Sequence, residues 1–184
     1  MSKNKKLTLS AIMVALSAVL VIISKLIPAP WLQGGSITLA SMVPIISVSI
    51  ILGVKWGLVS GFVFSLIQMM TGFYPPPTQT FINFVLVVLL DYVIAFGVLG
   101  LAGAFYHMFG KKVWAVSVSG VIVTFLRYLC HIISGVLIWG VYKEEGQSVL
   151  AYSLTYNGSY MIPEIIITGV VLFLISNLIL KQKK

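Results

Sequence analysis

Three ionisable side chains lie inside long apolar runs of this sequence: Asp91, Arg127 and Glu164. A charge at bilayer depth costs about 2.5–3.5 kcal/mol on insertion scales, so each must be paired, solvated or used. Each also has company at helical spacing. Arg127, His131, Gly135 and Trp139 recur every four residues and share one helix face, with Gly135 leaving room for a slot between an imidazole and an indole. Tyr152, Tyr156, Tyr160 and Glu164 repeat at the same interval, and Asn157 lies close to that face. Tyr92 follows Asp91, and Tyr74 precedes Pro75, Pro76 and Pro77, which stiffen its loop. Such a set suits a flat, cationic small molecule. Aromatic faces attract a desolvated cation by about 2 kcal/mol or more. A carboxylate accepts hydrogen bonds from an amino-substituted ring, and Asn or Tyr holds a hydroxyl. With all three groups ionised one negative charge is left over, so the site reads as aromatic, weakly acidic and deep.

Each group also has a structural reading. Asp91 and Arg127 fit an interhelical ion pair, and His131 fits a satisfied interior histidine. Trp56, Trp114 and Tyr142 fit an interfacial aromatic belt and are left out of the candidate site. Cys130 reads as packing.

The elements that must position these groups are membrane helices. Of 184 residues, 59% are hydrophobic and 9% charged, where a soluble domain has roughly 25% charged residues. Mean hydropathy is +1.08. A span needs about 20 mainly apolar residues to cross roughly 30 Å of hydrocarbon. Runs of that kind fall at about 7–27, 37–52, 56–71, 81–105, 113–139 and 152–180. The second and third are short and read as a shallow hairpin that only partly crosses. The predicted fold is therefore an all-α integral membrane protein, a single membrane domain over 1–184, with six transmembrane helices and both termini cytoplasmic. The first run, though preceded by Lys3, Lys5 and Lys6, lacks an Ala-x-Ala exit and reads as a retained anchor. The orientation puts Lys3, Lys5, Lys6, Lys55, Lys111, Lys112, Lys181, Lys183 and Lys184 inside, against Lys25 and Lys143 outside, as the positive-inside rule requires. The net charge of +8 is thus a membrane pattern and not a nucleic-acid footprint. The outer connections, Pro28 to Ser36, Phe73 to Thr80 and Gly140 to Ala151, are rich in Pro, Gly and aromatics and form the expected ligand face. Pro and Gly also simply end helices.

Two strips of small residues, Ala11 with Ala15 and Gly53 with Gly57 and Gly61, let a helix approach closely. Each fits either a partner protein or internal packing. The sequence has no phosphate-binding loop, no His-Glu-x-x-His and no nucleophile elbow. It has a single cysteine and no metal-ligand spacing. No enzymatic activity, catalytic residue, metal site or cofactor is expected. Three classes remain: a binding subunit powered by other chains, a stand-alone proton- or ion-coupled carrier titrating Asp91 or Glu164, and a membrane enzyme or structural protein.

The first-helix alanines Ala11 and Ala15, the run from Tyr152 through Tyr156 and Asn157 to Gly158, and the fifth segment from Arg127 through His131 to Gly135 and Trp139 give the chain a family resemblance. It resembles, over essentially its whole length, the thiamine-specific substrate-binding subunit (S component) of energy-coupling factor vitamin transporters. The resemblance implies a cell-membrane receptor that binds thiamine from outside. A transmembrane scaffold subunit and two cytoplasmic ATPase subunits would deliver it, ATP being used only by those partners. It implies that Asp91 bonds the aminopyrimidine, that His131 and Trp139 flank the rings, and that Tyr74, Tyr152 and Asn157 complete the pocket. In this family Glu often stands where this chain has Asp91, Lys where it has Arg127, and a Trp in the first outer loop, where Trp31 is the candidate substitute. The loop from Pro28 to Ser36 would close over the thiazolium. An S component for another vitamin is the alternative within the group.

Overall fold

The computed structural model describes residues 1–26 and 34–183. Most of the first outer loop, Pro28 to Gln33 with Trp31, lies outside the described residues. Six helical elements run in chain order: α1 (Lys3–Ser24), α2 (Val43–Leu52), α3 (Val54–Gly72), α4 (Phe81–Met108), α5 (Val113–Leu137) and α6 (Val149–Gln182). Five of them are long and apolar enough to cross a bilayer, and α2 is shorter.

The helices start where the sequence supplies a cap. Ser2, Thr80 and Ser148 accept the backbone N–H three residues on at the heads of α1, α4 and α6, satisfying a donor that has no partner within the helix. Pro44 occupies the first turn of α2, where no N–H is needed. Gly53 alone joins α2 to α3 at φ 97°, a left-handed conformation that favours glycine.

The pattern of burial is that of a lipid-solvated bundle. On α1 the inward residues are Ser10, Val14, Ser17, Val21 and Ser24, while Leu7, Ile12, Leu16, Val19 and Ile22 point out. Large apolar side chains facing out match the acyl chains, and small ones facing in let helices approach closely. The element that carries the most complete apolar burial is α2, buried from Val43 through Ile50. Ten residues rise only about 15 Å. The expected shallow hairpin is thus replaced by a short central helix wrapped by its neighbours and a full-length α3. The upstream residues 37–42 are not helical but lead into α2 through turns.

Glycines set two seams. Between α3 and α4 a Cβ on Gly100 would stand 2.3 Å from Leu58 N and 2.5 Å from Gly57 C, so these backbones touch. Ser49 Oγ fastens α2 to the same place, donating to Gly100 O at 2.5 Å and accepting from Gly103 N at 2.8 Å. Gly57 and Gly61 are therefore internal packing residues. Ala11 and Ala15 differ: both are exposed on α1. The second seam joins α5 to α6, with Ser117 Oγ donating to Gly169 O at 2.6 Å and Ser153 Oγ to Ile132 O at 2.8 Å. At the far end Lys183 Nζ sits 4.3 Å over the Tyr106 ring, so the basic ends of α4 and α6 share one side of the bundle. Burial and neighbouring Lys111 hold the Lys183 ammonium below the usual lysine range.

Candidate functional site

At the end opposite that basic face, a cavity of about 160 Å³ opens between α1, α3, α4, α5 and α6. One buried water needs about 10–15 Å³ on the same measure, so the space is that of a small organic molecule. Nine of the ten candidate residues line it: Tyr74, Asp91, Tyr92, Arg127, His131, Trp139, Tyr152, Tyr156 and Asn157. The tenth, Glu164, does not.

Asp91 organises the wall. It sits in a π-helical turn, Val88–Val93, within α4. Such single turns insert a residue into a helix and are frequent at functional sites. His131 Nδ1 lies 2.9 Å from Asp91 Oδ1, Ser134 Oγ donates to Oδ2 at 2.6 Å, and Trp139 Nε1 donates to Oδ2 at 3.2 Å. The ion pair with Arg127 that the sequence left open is not formed; Asp91 pairs with His131 instead. A carboxylate has about four lone-pair sites, so three donors leave it one further acceptor position. Ser134, absent from the candidate set, also accepts Trp139 Nε1 at 3.1 Å. Its position three residues after His131 was the available signal.

The stripe read on α5 changes in two ways. The helix stops at Leu137, and Trp139 begins a 3-10 turn, Trp139–Tyr142. The indole stacks on Tyr142 at 6.3 Å between centroids and tilts against Tyr74 at 5.8 Å. The expected slot at Gly135 is also filled: a Cβ there would lie 2.1 Å from Ser153 Oγ. Gly135 serves the α5–α6 seam because its missing side chain admits α6, not a ligand.

On α6, Tyr152 and Tyr156 stack at 5.6 Å and Tyr156 meets Tyr160 edge-on at 6.3 Å. Tyr160 belongs to the wall and stands 6.0 Å from the His131 ring. Asn157 ties the wall together, its amide donating to His131 O at 3.1 Å and Ser153 O at 3.0 Å while Oδ1 accepts from Tyr160 at 2.6 Å. Tyr92 works from the other side. Its hydroxyl donates to Gly72 O at 3.1 Å and accepts Tyr74 N–H at 3.0 Å, which fixes Tyr74 at the mouth. Gly34, Gly35 and Ser36 close the remaining side, with Tyr156 Oη donating to Gly34 O at 2.7 Å. Loop residues of that kind give no periodic signal in the sequence.

Charge in the cavity departs from the acidic balance expected. Among the described residues Asp91 is the one acid on the wall, alongside Arg127, Lys25 and His131. Lys25 is exposed at the rim, where it donates to Thr71 O at 2.7 Å. Arg127 is turned into the floor, its guanidinium 4.3 Å over Phe96 and donating to Met42 Sδ at 3.0 Å. The side of the cavity facing the rings is therefore left to Asp91 and the aromatic faces. Among the described residues, three buried polar atoms on this wall have no protein partner: His131 Nε2, Tyr152 Oη and Arg127 Nε. Buried polar groups are nearly always satisfied, so this wall is prepared for a polar guest. Among the described residues no cluster of metal-ligating side chains occurs.

The chain is similar to known transport proteins. The family model described as thiamine transporter protein (Thia_YuaJ) matches residues 7–184. A thiamine transporter ThiT of Bacillus subtilis (strain 168) is 37% identical over 177 residues, covering 90% of this chain and 86% of that protein. A thiamine transporter ThiT of Lacticaseibacillus paracasei is 36% identical over 92 residues, 45% of this chain and 46% of that protein. The solved structure of ThiT from Listeria monocytogenes shares the fold at a TM-score of 0.75, covering 98% of both chains at 21% identity. A multi-pass membrane protein of the cell membrane, this chain belongs to the thiamine transporter protein family.

Proposed function

We propose that this chain captures thiamine from the extracellular side, as the membrane-embedded S component of an ATP-driven energy-coupling factor importer. The carrying observation is Asp91, held by His131, Ser134 and Trp139 with one acceptor site spare, in a wall of aromatic rings. Thiamine joins an aminopyrimidine to a cationic thiazolium. Asp91 accepts from the exocyclic amine, Trp139 and the α6 tyrosines offer their faces to the cation, and the unpaired His131 Nε2 and Tyr152 Oη face the guest's polar atoms. The protein needs no cofactor for this, and no group in the wall is asked to react.

Titration of the purified chain with thiamine is expected to quench tryptophan fluorescence, and riboflavin and biotin to leave it unchanged. Trp139→Phe should abolish most of the quench while Trp139→Ala weakens binding about tenfold, the order of one aromatic–cation contact. Quenching by riboflavin at equal strength would remove thiamine as the specific ligand.

The partners in this reading are a transmembrane scaffold subunit and two cytoplasmic ATPases. The exposed Ala11 and Ala15 on α1 form the contact with the scaffold, where a smooth surface lets a foreign helix lie close. Ala15→Trp is expected to prevent co-purification with the scaffold and to leave thiamine affinity within about threefold, since Ala15 is remote from the cavity wall. Intact assembly in that variant would move the docking surface elsewhere.

A further inference from the structure

We propose that Glu164 is a positioning residue, whose carboxylate anchors the backbone at Thr38 and thereby holds Gly34, Gly35 and Ser36 as one wall of the cavity. The inference rests on the thiamine-binding reading only for what the wall encloses. Glu164 is 1% exposed and absent from the lining. Its Oε1 accepts the Thr38 N–H, and Thr38 is itself buried. Each group is costly to bury alone, and Oε1 gives the Thr38 N–H its acceptor, while Oε2 is buried without a hydrogen-bond partner. Thr38 is also where the segment turns toward α2. Its hydroxyl lies 2.7 Å from Ser41 Oγ, its carbonyl accepts Ala40 N–H at 2.8 Å, and the next residue, Leu39, donates its N–H to Ser24 Oγ at 2.8 Å.

The anchor matters because the wall above it is backbone. Gly34 and Gly35 have φ of 86° and 107°, and a Cβ on Gly35 would stand 2.7 Å from the Tyr160 ring. Glycine has the largest freedom to lose on ordering, so this segment keeps its place only through its fastenings. Tyr156 holds its upper end through Gly34 O, and Glu164 holds its lower end. These two fastenings come from α6, eight residues or about 12 Å of helix apart, and Leu39 N–H on Ser24 Oγ adds a third from α1. A charged Glu164 would also act on Arg127 in the floor, while the hydrogen bond to Thr38 requires only an acceptor.

That difference supplies the test, using hydrogen-exchange mass spectrometry of the ligand-free chain together with thiamine titration. Glu164→Met is expected to speed exchange of the amides across residues 34–39 about tenfold and to weaken thiamine binding about tenfold, mainly through a faster off-rate. Glu164→Gln keeps an acceptor for Thr38 and should restore both to within about threefold. Unchanged exchange at 34–39 in Glu164→Met overturns the proposal. So does a Glu164→Gln variant with normal exchange but affinity as poor as Asp91→Asn, which would make Glu164 a charge felt by the ligand. If Glu164→Met does not fold, Glu164→Asp takes its place: it keeps the carboxylate but is one methylene shorter, so faster exchange at 34–39 is expected and unchanged exchange overturns the proposal. If the unmodified chain does not bind thiamine, the functional reading fails while the exchange measurement still decides the anchor.

Discussion

Asp91→Asn is expected to weaken thiamine binding about 100-fold by isothermal titration calorimetry, with the fold intact. Removing one partner from a buried, hydrogen-bonded charge site costs about 2–5 kcal/mol. Here the loss is compound. An asparagine can keep an oxygen on Ser134 Oγ and Trp139 Nε1 only by turning its amide N–H₂ toward His131 Nδ1, and in either orientation it offers fewer acceptor sites than the carboxylate. The indole then risks losing one of its two acceptors, keeping Ser134 Oγ, while the ligand loses its own. Thiamine should accordingly quench less fluorescence in this variant even at saturation. Affinity within about threefold of the unmodified chain would mean that Asp91 only organises its neighbours and that the ligand's amine is bound elsewhere.

Gly100→Val is expected to have the largest effect on the fold. A Cβ at this position meets backbone atoms of Gly57 and Leu58 inside 2.6 Å or less, and backbone cannot swing aside as a side chain can. The α3–α4 seam must open, and Ser49 loses the carbonyl it bonds. Overpacking of this kind costs about 1–3 kcal/mol and more where the backbone has to move. Thermal denaturation in detergent should show a fall of several degrees or failure to purify as a monodisperse species. Thiamine binding should fall with it, because α4 also carries Asp91. The control lies three residues away. A Cβ on Gly97 has nothing within 4 Å, so Gly97→Ala should leave the melting temperature unchanged or raise it slightly, by the helix preference of alanine over glycine. Equal destabilisation by both substitutions would show that glycine content in α4, and not the contact at Gly100, sets stability.

Much of the arrangement was legible because helical periodicity and hydropathy are local properties of a chain. The long apolar runs, the lysine asymmetry and the tyrosine stripe from Tyr152 to Tyr160 all depend on residues within a few turns of one another. The misread features depend on what lies across a helix. Gly135 looked like a gap for a ligand because a single helix face cannot say whether a neighbouring helix occupies it; α6 does. Glu164 shares a stripe with three wall tyrosines, yet one further turn carries it below the cavity to Thr38. Trp139 keeps the spacing of the α5 stripe, but the helix has ended before it and a tighter turn aims the indole.

The sequence by itself determined that this is an all-α membrane protein with buried charges, aromatic stripes and a strip of small residues on its first helix, since composition and period fix what each segment can bury. Only the tertiary structure decided that Asp91 faces His131, Ser134 and Trp139 and not Arg127, that a π-helical turn presents it, and that Glu164 holds backbone. The Asp91 and Glu164 contacts join residues 40 or more positions apart, which no local period encodes.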